Sequence, residues 1–165
     1  MEGTVMIRPT RSEDSAALVS IAEGTNFFKP FEIVALREVL DDYHAANAAE
    51  GHQAYTWDHN GHIGGFVYIA PAAMTDRVWY LYWIFVDKNT QARGIGTRLL
   101  HHAEEEVRKK KGRLMLIETG GLPLYEPTRR FYLKHGYEQE ARIRDFYVEG
   151  DDLIVFRKRM DQNSS

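Results

Sequence analysis

The chain has 165 residues, a net charge of −3 and no cysteine. That length suits a single domain with a real core, and the missing cysteine excludes disulfides, thiol nucleophiles and cysteine-based metal sites. The charge balance carries no footprint of a nucleic-acid or membrane partner. No apolar run approaches the ~20 residues needed to span a bilayer, and Met1 to Pro9 lacks the layout of a signal peptide. The expectation is one cytoplasmic domain over residues 3–160, with 161–165 as a loose tail.

Taken in chain order, Thr4 to Arg8 predicts a short strand stopped by Pro9. Ser12 reads as the N-cap of a helix that carries Ala16, Leu18, Val19 and Ala22 and ends at Gly24. A loop with Phe27 and Phe28 follows, and Pro30 opens a second helix running toward Gly51. Gln53 to Trp57 and Gly64 to Ala70 predict two strands, joined by the hairpin signal Asn60-Gly61. Trp79 to Val86 is apolar on both faces and is therefore expected to be a central strand. A long helix over about Thr97 to Lys111 buries Leu99, Leu100, Ala103 and Val107. Its expected outer face pairs Glu104–Arg108, Glu105–Lys109 and Glu106–Lys110, and Gly112 ends it. Leu114 to Glu118, a helix over about Thr128 to Lys134 stopped by Gly136, and the strands Arg142 to Phe146 and Leu153 to Arg157 complete the chain. Hairpins beside at least one β-α-β crossover predict a mixed α/β (α+β) fold with helices on both faces of the sheet.

The segment Gln91-Ala92-Arg93-Gly94-Ile95-Gly96 lies between the central strand and the long helix. A glycine-bearing turn there gathers backbone N–H groups at a helix N-terminus, which suits a phosphate or pyrophosphate. Two nucleotide readings fail. Gly96 is followed by Thr97-Arg98 rather than Lys-Ser/Thr, and Leu99 stands where a dinucleotide fingerprint needs its third glycine. A plain tight turn stays open as the alternative.

A second motif, Arg130-Phe131-Tyr132-Leu133-Lys134-His135-Gly136-Tyr137, accompanies the first. Together, in this order of elements, they resemble the GNAT superfamily of acetyl-CoA-dependent N-acetyltransferases, and the resemblance covers nearly the whole chain. It implies a mixed, mostly antiparallel sheet of six to seven strands flanked by about four helices. It also implies that the amides of Ala92 to Thr97, including Ile95 and Gly96, hold the coenzyme A pyrophosphate, with Gln91, Arg93 and Arg98 alongside. The strand edge at Ile84, Phe85 and Val86 would pair with the pantetheine arm, and a backbone N–H near Phe85 would meet the oxyanion. Where many relatives carry an asparagine that touches the cofactor arm, this chain has Tyr125.

Acetyl transfer to nitrogen needs a neutral amine, although an alkylamine of pKa ~10 is only about 0.1% neutral at pH 7. It also needs an oxyanion donor and a proton or stabilisation for the departing thiolate. The resemblance assigns the last role to Tyr132, with a packed core tyrosine as the other reading. The central strand carries no carboxylate or histidine. Glu118 is the nearest candidate base, expected to be desolvated, with substrate orientation or a solvated strand end as alternatives and a water relay through Tyr80 or Tyr82 as a further option. The acceptor pocket would draw on Phe27, Phe28, Phe31, Tyr80, Tyr82 and Asp145, an aromatic set suited to a small-molecule or peptide amine. His59 with His62, and His101 with His102, have no metal-binding spacing. A silent acyl-CoA-binding module and transfer of a longer acyl group are the alternatives in function. Monomer and homodimer are both open.

Overall fold

The computed structural model describes residues 3–90 and 92–161. The strands are β1 (Val5–Pro9), β2 (Gln53–His59), β3 (His62–Pro71), β4 (Val78–Val86), β5 (Leu114–Gly120), β6 (Glu138–Val148) and β7 (Asp151–Arg159). The helices are α1 (Ser15–Gly24), α2 (Pro30–Asp42), α3 (Ile95–Lys109) and α4 (Glu126–Lys134). The strands form one seven-stranded sheet in the order β1-β2-β3-β4-β5-β7-β6, with β4 central as its apolar sequence requires. β4 and β5 are parallel, whereas β1–β2, β2–β3, β5–β7 and β6–β7 are antiparallel. The chain contacts define two compact units, Met1–Ala70 with Trp83–Glu105 and Pro71–Tyr82 with Glu106–Ser165. No helix among the described residues is long and apolar enough to cross a membrane.

In the first unit, Asn60 and Gly61 take φ of 54° and 85°. Positive φ at both turn positions matches the twist of a two-residue hairpin. Side chains alternate along β3. Phe66, Tyr68 and Ala70 join Leu18, Ala22, Leu36 and Leu40 of α1 and α2 in one buried cluster. Gly65 points the other way, where a Cβ would lie 2.9 Å from Leu99 Cδ1 of α3. Helices therefore cover both faces of β3.

A buried ionic knot ties the entry of the chain together. Arg8 donates to both oxygens of Asp14, at 2.7 and 2.9 Å, and to Asp58 at 2.9 Å. Asp14 also accepts the Arg11 amide, and Asp58 accepts the Gly61 amide that closes the hairpin. Burial pushes both carboxyls up, but the Arg8 and backbone hydrogen bonds outweigh it and hold them below the usual range.

In the second unit, the alternation of β5 and β7 buries Met115, Ile117, Ile154 and Phe156. The Tyr132 ring of α4 packs on Phe156, with centroids 5.7 Å apart. Gly136, at φ 89°, ends α4. The Lys158 ammonium donates to the His135 carbonyl at 2.8 Å and lies over the Tyr137 ring.

Several local expectations are corrected. A 3-10 turn over Ser12–Asp14 precedes α1, and Asp14, not Ser12, takes up the entry amide. α1 does end at Gly24, and the left-handed residue after it is Asn26, at φ 61°. After α3, Lys111 is left-handed at φ 59°. Its amide donates to Arg108 O while the Gly112 amide donates to Val107 O, the two bonds of a Schellman cap. Gly112 is needed for clearance instead, because a Cβ there would stand 2.4 Å from Val107 Cγ1. Glu104 is buried rather than on an outer face, and Lys109 pairs with Glu106 at i,i+3. Pro9 ends β1 within the ladder, opposite Tyr55, which an edge strand tolerates.

Candidate active site

α3 begins at Ile95, and its first helical bond runs from the Arg98 amide to Gly94 O at 3.0 Å. Gly94 is therefore the N-cap, and the amides of Ile95, Gly96 and Thr97 lie ahead of that bond. Gly94 takes φ 74°, and a Cβ there would meet nothing within 4 Å. The glycine is required by conformation, and the space before the helix is open. Ala92, Arg93 and Arg98 are exposed around it, while Ile95 is buried and pins the turn. Gln91 lies outside the described residues. This is a helix N-terminus with an open glycine turn and two nearby cations, which fits a pyrophosphate.

The turn is held in place by a close approach that its own sequence does not announce. The Gly64-Gly65 pair in β3 brings the backbone close to its neighbours. A Cβ on Gly65 would stand 2.9 Å from Leu99 Cδ1, 3.2 Å from Ile95 Cγ2 and 3.2 Å from Phe85 O. The Asp87 amide donates to Gly64 O at 2.8 Å, and Asp87 in turn accepts the amides of Asn89 and Thr90. Two adjacent glycines inside a strand pattern were the available signal, since they mark close approach of another element.

Of the cofactor-strand residues Ile84, Phe85 and Val86, Phe85 is buried against Phe66 and Phe28, at 5.3 and 5.9 Å between rings. The predicted aromatic trio divides. Phe28 packs into the core beside Trp83, whereas Phe27 and Phe31 are exposed. A groove of about 360 Å³ between α1 and α2 is spanned by the Glu23–Arg37 pair and includes none of the predicted residues.

In the second unit, β4 pairs with β5 from Val78–Leu114 to Leu81–Ile117. Alternation past that register puts Tyr80, Tyr82, Leu116 and Glu118 on one face, and Leu81 and Ile117 on the other. Tyr80 and Tyr82 stack at 5.2 Å. Tyr82 is 53% exposed, unusual for a central strand, and Glu118 is exposed too. Burial raises the Tyr82 phenol, and the charges of Tyr80 and Glu118 add to the rise. The desolvation expected at Glu118 is thus absent.

Tyr132 occupies the opposite face. It packs on Phe156, which pairs with Ile117, and only 3% of it is exposed. Desolvation holds its phenol well above the usual range, so it remains protonated. Tyr125 closes a 3-10 turn with its ring against Gly120, where a Cβ would meet it at 2.8 Å. Arg129 ties the same loop to α4 by donating to Gly120 O and Leu122 O. Asp145 is turned to local work. At φ 56° it accepts the Gly150 amide and donates its own amide to Asp152. Among the described residues, no group of three or more histidines and acids is arranged to hold a metal.

Residues 50–139 match the model of the acetyltransferase (GNAT) domain. A solved GNAT-family acetyltransferase from Desulfovibrio desulfuricans is 33% identical, with a TM-score of 0.90 over 95% of this chain and 99% of that one. An acetyltransferase from Salmonella typhimurium, solved with acetyl-CoA, superposes with a TM-score of 0.76 at 18% identity, covering 98% and 96%. The ribosomal-protein-S18-alanine N-acetyltransferase from Escherichia coli does so at 0.76 and 18%, covering 98% and 97%. No protein of curated function matches the sequence. The chain belongs to the GNAT acetyltransferase family.

Proposed function

We propose that this protein moves an acetyl group from acetyl-CoA to a primary amine by direct attack within a ternary complex. The observation that carries this reading is the glycine-bearing N-terminus of α3, open at Gly94 and flanked by Arg93 and Arg98, in a chain whose residues 50–139 match the GNAT acetyltransferase domain. Acetyl-CoA, when bound, supplies the activated acyl group as a thioester.

The residues divide the work. The amides of Ala92 to Thr97, with Arg93 and Arg98, hold the pyrophosphate, and the exposed open turn at Gly94 supports this. The backbone of Ile84 to Val86 aligns the pantetheine arm. Tyr132 offers a fixed, neutral O–H. Because burial makes that phenol a reluctant acid, its first contribution is a hydrogen bond to the developing thiolate, with the proton following as sulfur takes charge. The amine gives its proton to solvent water. The acceptor is a small-molecule or peptide amine, met in the second unit by Tyr80 and Tyr82. The family match draws on both units, which supports reading residues 3–160 as one functional domain. The missing cysteine suits a reducing cytoplasm, where we locate it.

Thiol release from acetyl-CoA across a panel of amines tests the reaction. Intersecting initial-rate lines are expected for a ternary complex, and parallel lines would point to an acetyl-enzyme instead. Binding of acetyl-CoA without turnover on any amine would leave a silent acyl-CoA-binding module.

A further inference from the structure

Tyr80, Tyr82, Leu116 and Glu118 share one sheet face. The tyrosine rings stack at 5.2 Å with an interplanar angle of 22°. Glu118 follows the last β4–β5 pair and makes no ion pair among the described residues. Arg157, opposite Leu116 on the same face, is engaged by Glu138 and Glu140 at 3.6 and 3.9 Å. Asp152 on β7 is taken by Arg142 at 2.7 Å. Glu118 thus shares a face with two aromatic rings, while Arg157 and Arg142 are committed to other carboxylates. An unpaired carboxylate with π faces next to it attracts an organic cation, and the exposure of Tyr82 leaves room for one.

Resting on the acyl-transfer reading, we propose that Tyr80, Tyr82 and Glu118 form a cation subsite for a second positive group of the acceptor. The reacting nitrogen must become neutral to attack, so a site built to hold positive charge serves a group that keeps its proton. The favoured acceptor class is then an aliphatic diamine or longer polyamine, ahead of monoamines, zwitterionic amino acids and acidic peptides. Glu118 acts as a positioning residue rather than as the base.

The test uses 1,4-diaminobutane, 1-aminobutane and 4-aminobutanoate. Calorimetric titration into enzyme saturated with coenzyme A reads binding without turnover, and thiol release reads transfer. The diamine is expected to bind about tenfold or more tightly than either competitor. In Glu118→Gln that advantage collapses through KM, while kcat and its pH profile stay in place. Tyr82→Phe keeps the preference and Tyr82→Leu weakens it. A diamine bound no better than the monoamine overturns the subsite. So does a Glu118→Gln variant that loses transfer to both amines equally with a shifted pH profile. Diamine binding dependent on Glu118 with no transfer to any amine would uphold the subsite and sink the acyl-transfer reading.

Discussion

Gly65→Ala tests whether the clearance at β3 positions the pyrophosphate turn. The added Cβ would stand 2.9 Å from Leu99 Cδ1, 3.2 Å from Ile95 Cγ2 and 3.2 Å from Phe85 O. Carbon atoms prefer about 3.5–4.0 Å, so the Leu99 contact is roughly 0.6 Å too short. Leu99 and Ile95 are buried, and the Phe85 carbonyl is backbone, so none of the three yields cheaply. Overpacking of this kind costs about 1–3 kcal/mol. The easiest relief is outward movement of the first turn of α3, which carries the amides that would hold coenzyme A. The variant should lose about 1–3 kcal/mol by urea denaturation and bind coenzyme A about tenfold more weakly by calorimetry, since tenfold corresponds to ~1.4 kcal/mol. Gly94→Ala is the control of opposite kind. Its Cβ meets nothing, and only the left-handed backbone is strained, at about 1–2 kcal/mol. Unchanged midpoint and coenzyme A affinity in Gly65→Ala would refute the clearance argument.

Tyr132→Phe should lower kcat by about 10²-fold, the low end for a lost general acid, with coenzyme A affinity unchanged; full activity would remove the assignment. Asp14 and Asp58 are held below their unfolded pKa, so their contribution to stability is complete above about pH 4. It is lost as pH falls through the folded values, and urea midpoints measured from pH 7 down to 3 should drop in that window. Arg8→Met should cost about 3–5 kcal/mol, because it strands two buried carboxylates. It should also reverse the slope above pH 4, since unpaired burial raises their pKa and the variant regains stability on mild acidification. A parallel pH profile for both proteins would argue against the knot. Lys158→Met should cost about 1–2 kcal/mol by loss of the bond to His135 O and the contact with Tyr137, read from the thermal midpoint.

The elements that could be read in advance are those whose signal is local. Asn60-Gly61 specified its own hairpin because positive φ is a property of those two residues. Pro30 and the apolar stripe of α3 likewise declared their helices, and the run ending at Val86 declared a buried central strand. Helix ends were less legible. α1 ends at Gly24 as its sequence says, but after α3 Lys111 takes the left-handed position in place of Gly112, whose missing side chain instead clears Val107. Charge spacing points Glu104 to solvent, but the packing around α3 buries it.

The same division holds for the candidate site. The paired motifs at Gly94–Gly96 and Phe131-Tyr132 identified the family, because each is contiguous and keeps its meaning in one element. No spacing along the chain could say that Glu118 and Tyr82 share a face, or that Tyr132 lies behind the opposite one. Those facts follow from the register Leu81–Ile117 and Ile117–Phe156. Register joins residues far apart in sequence, and slipping it by one would send every side chain to the other face. Composition, turns and motifs therefore determined what kind of protein this is. Tertiary pairing alone decided that a carboxylate and two stacked tyrosine rings share one face, because only the folded sheet sets which alternations coincide.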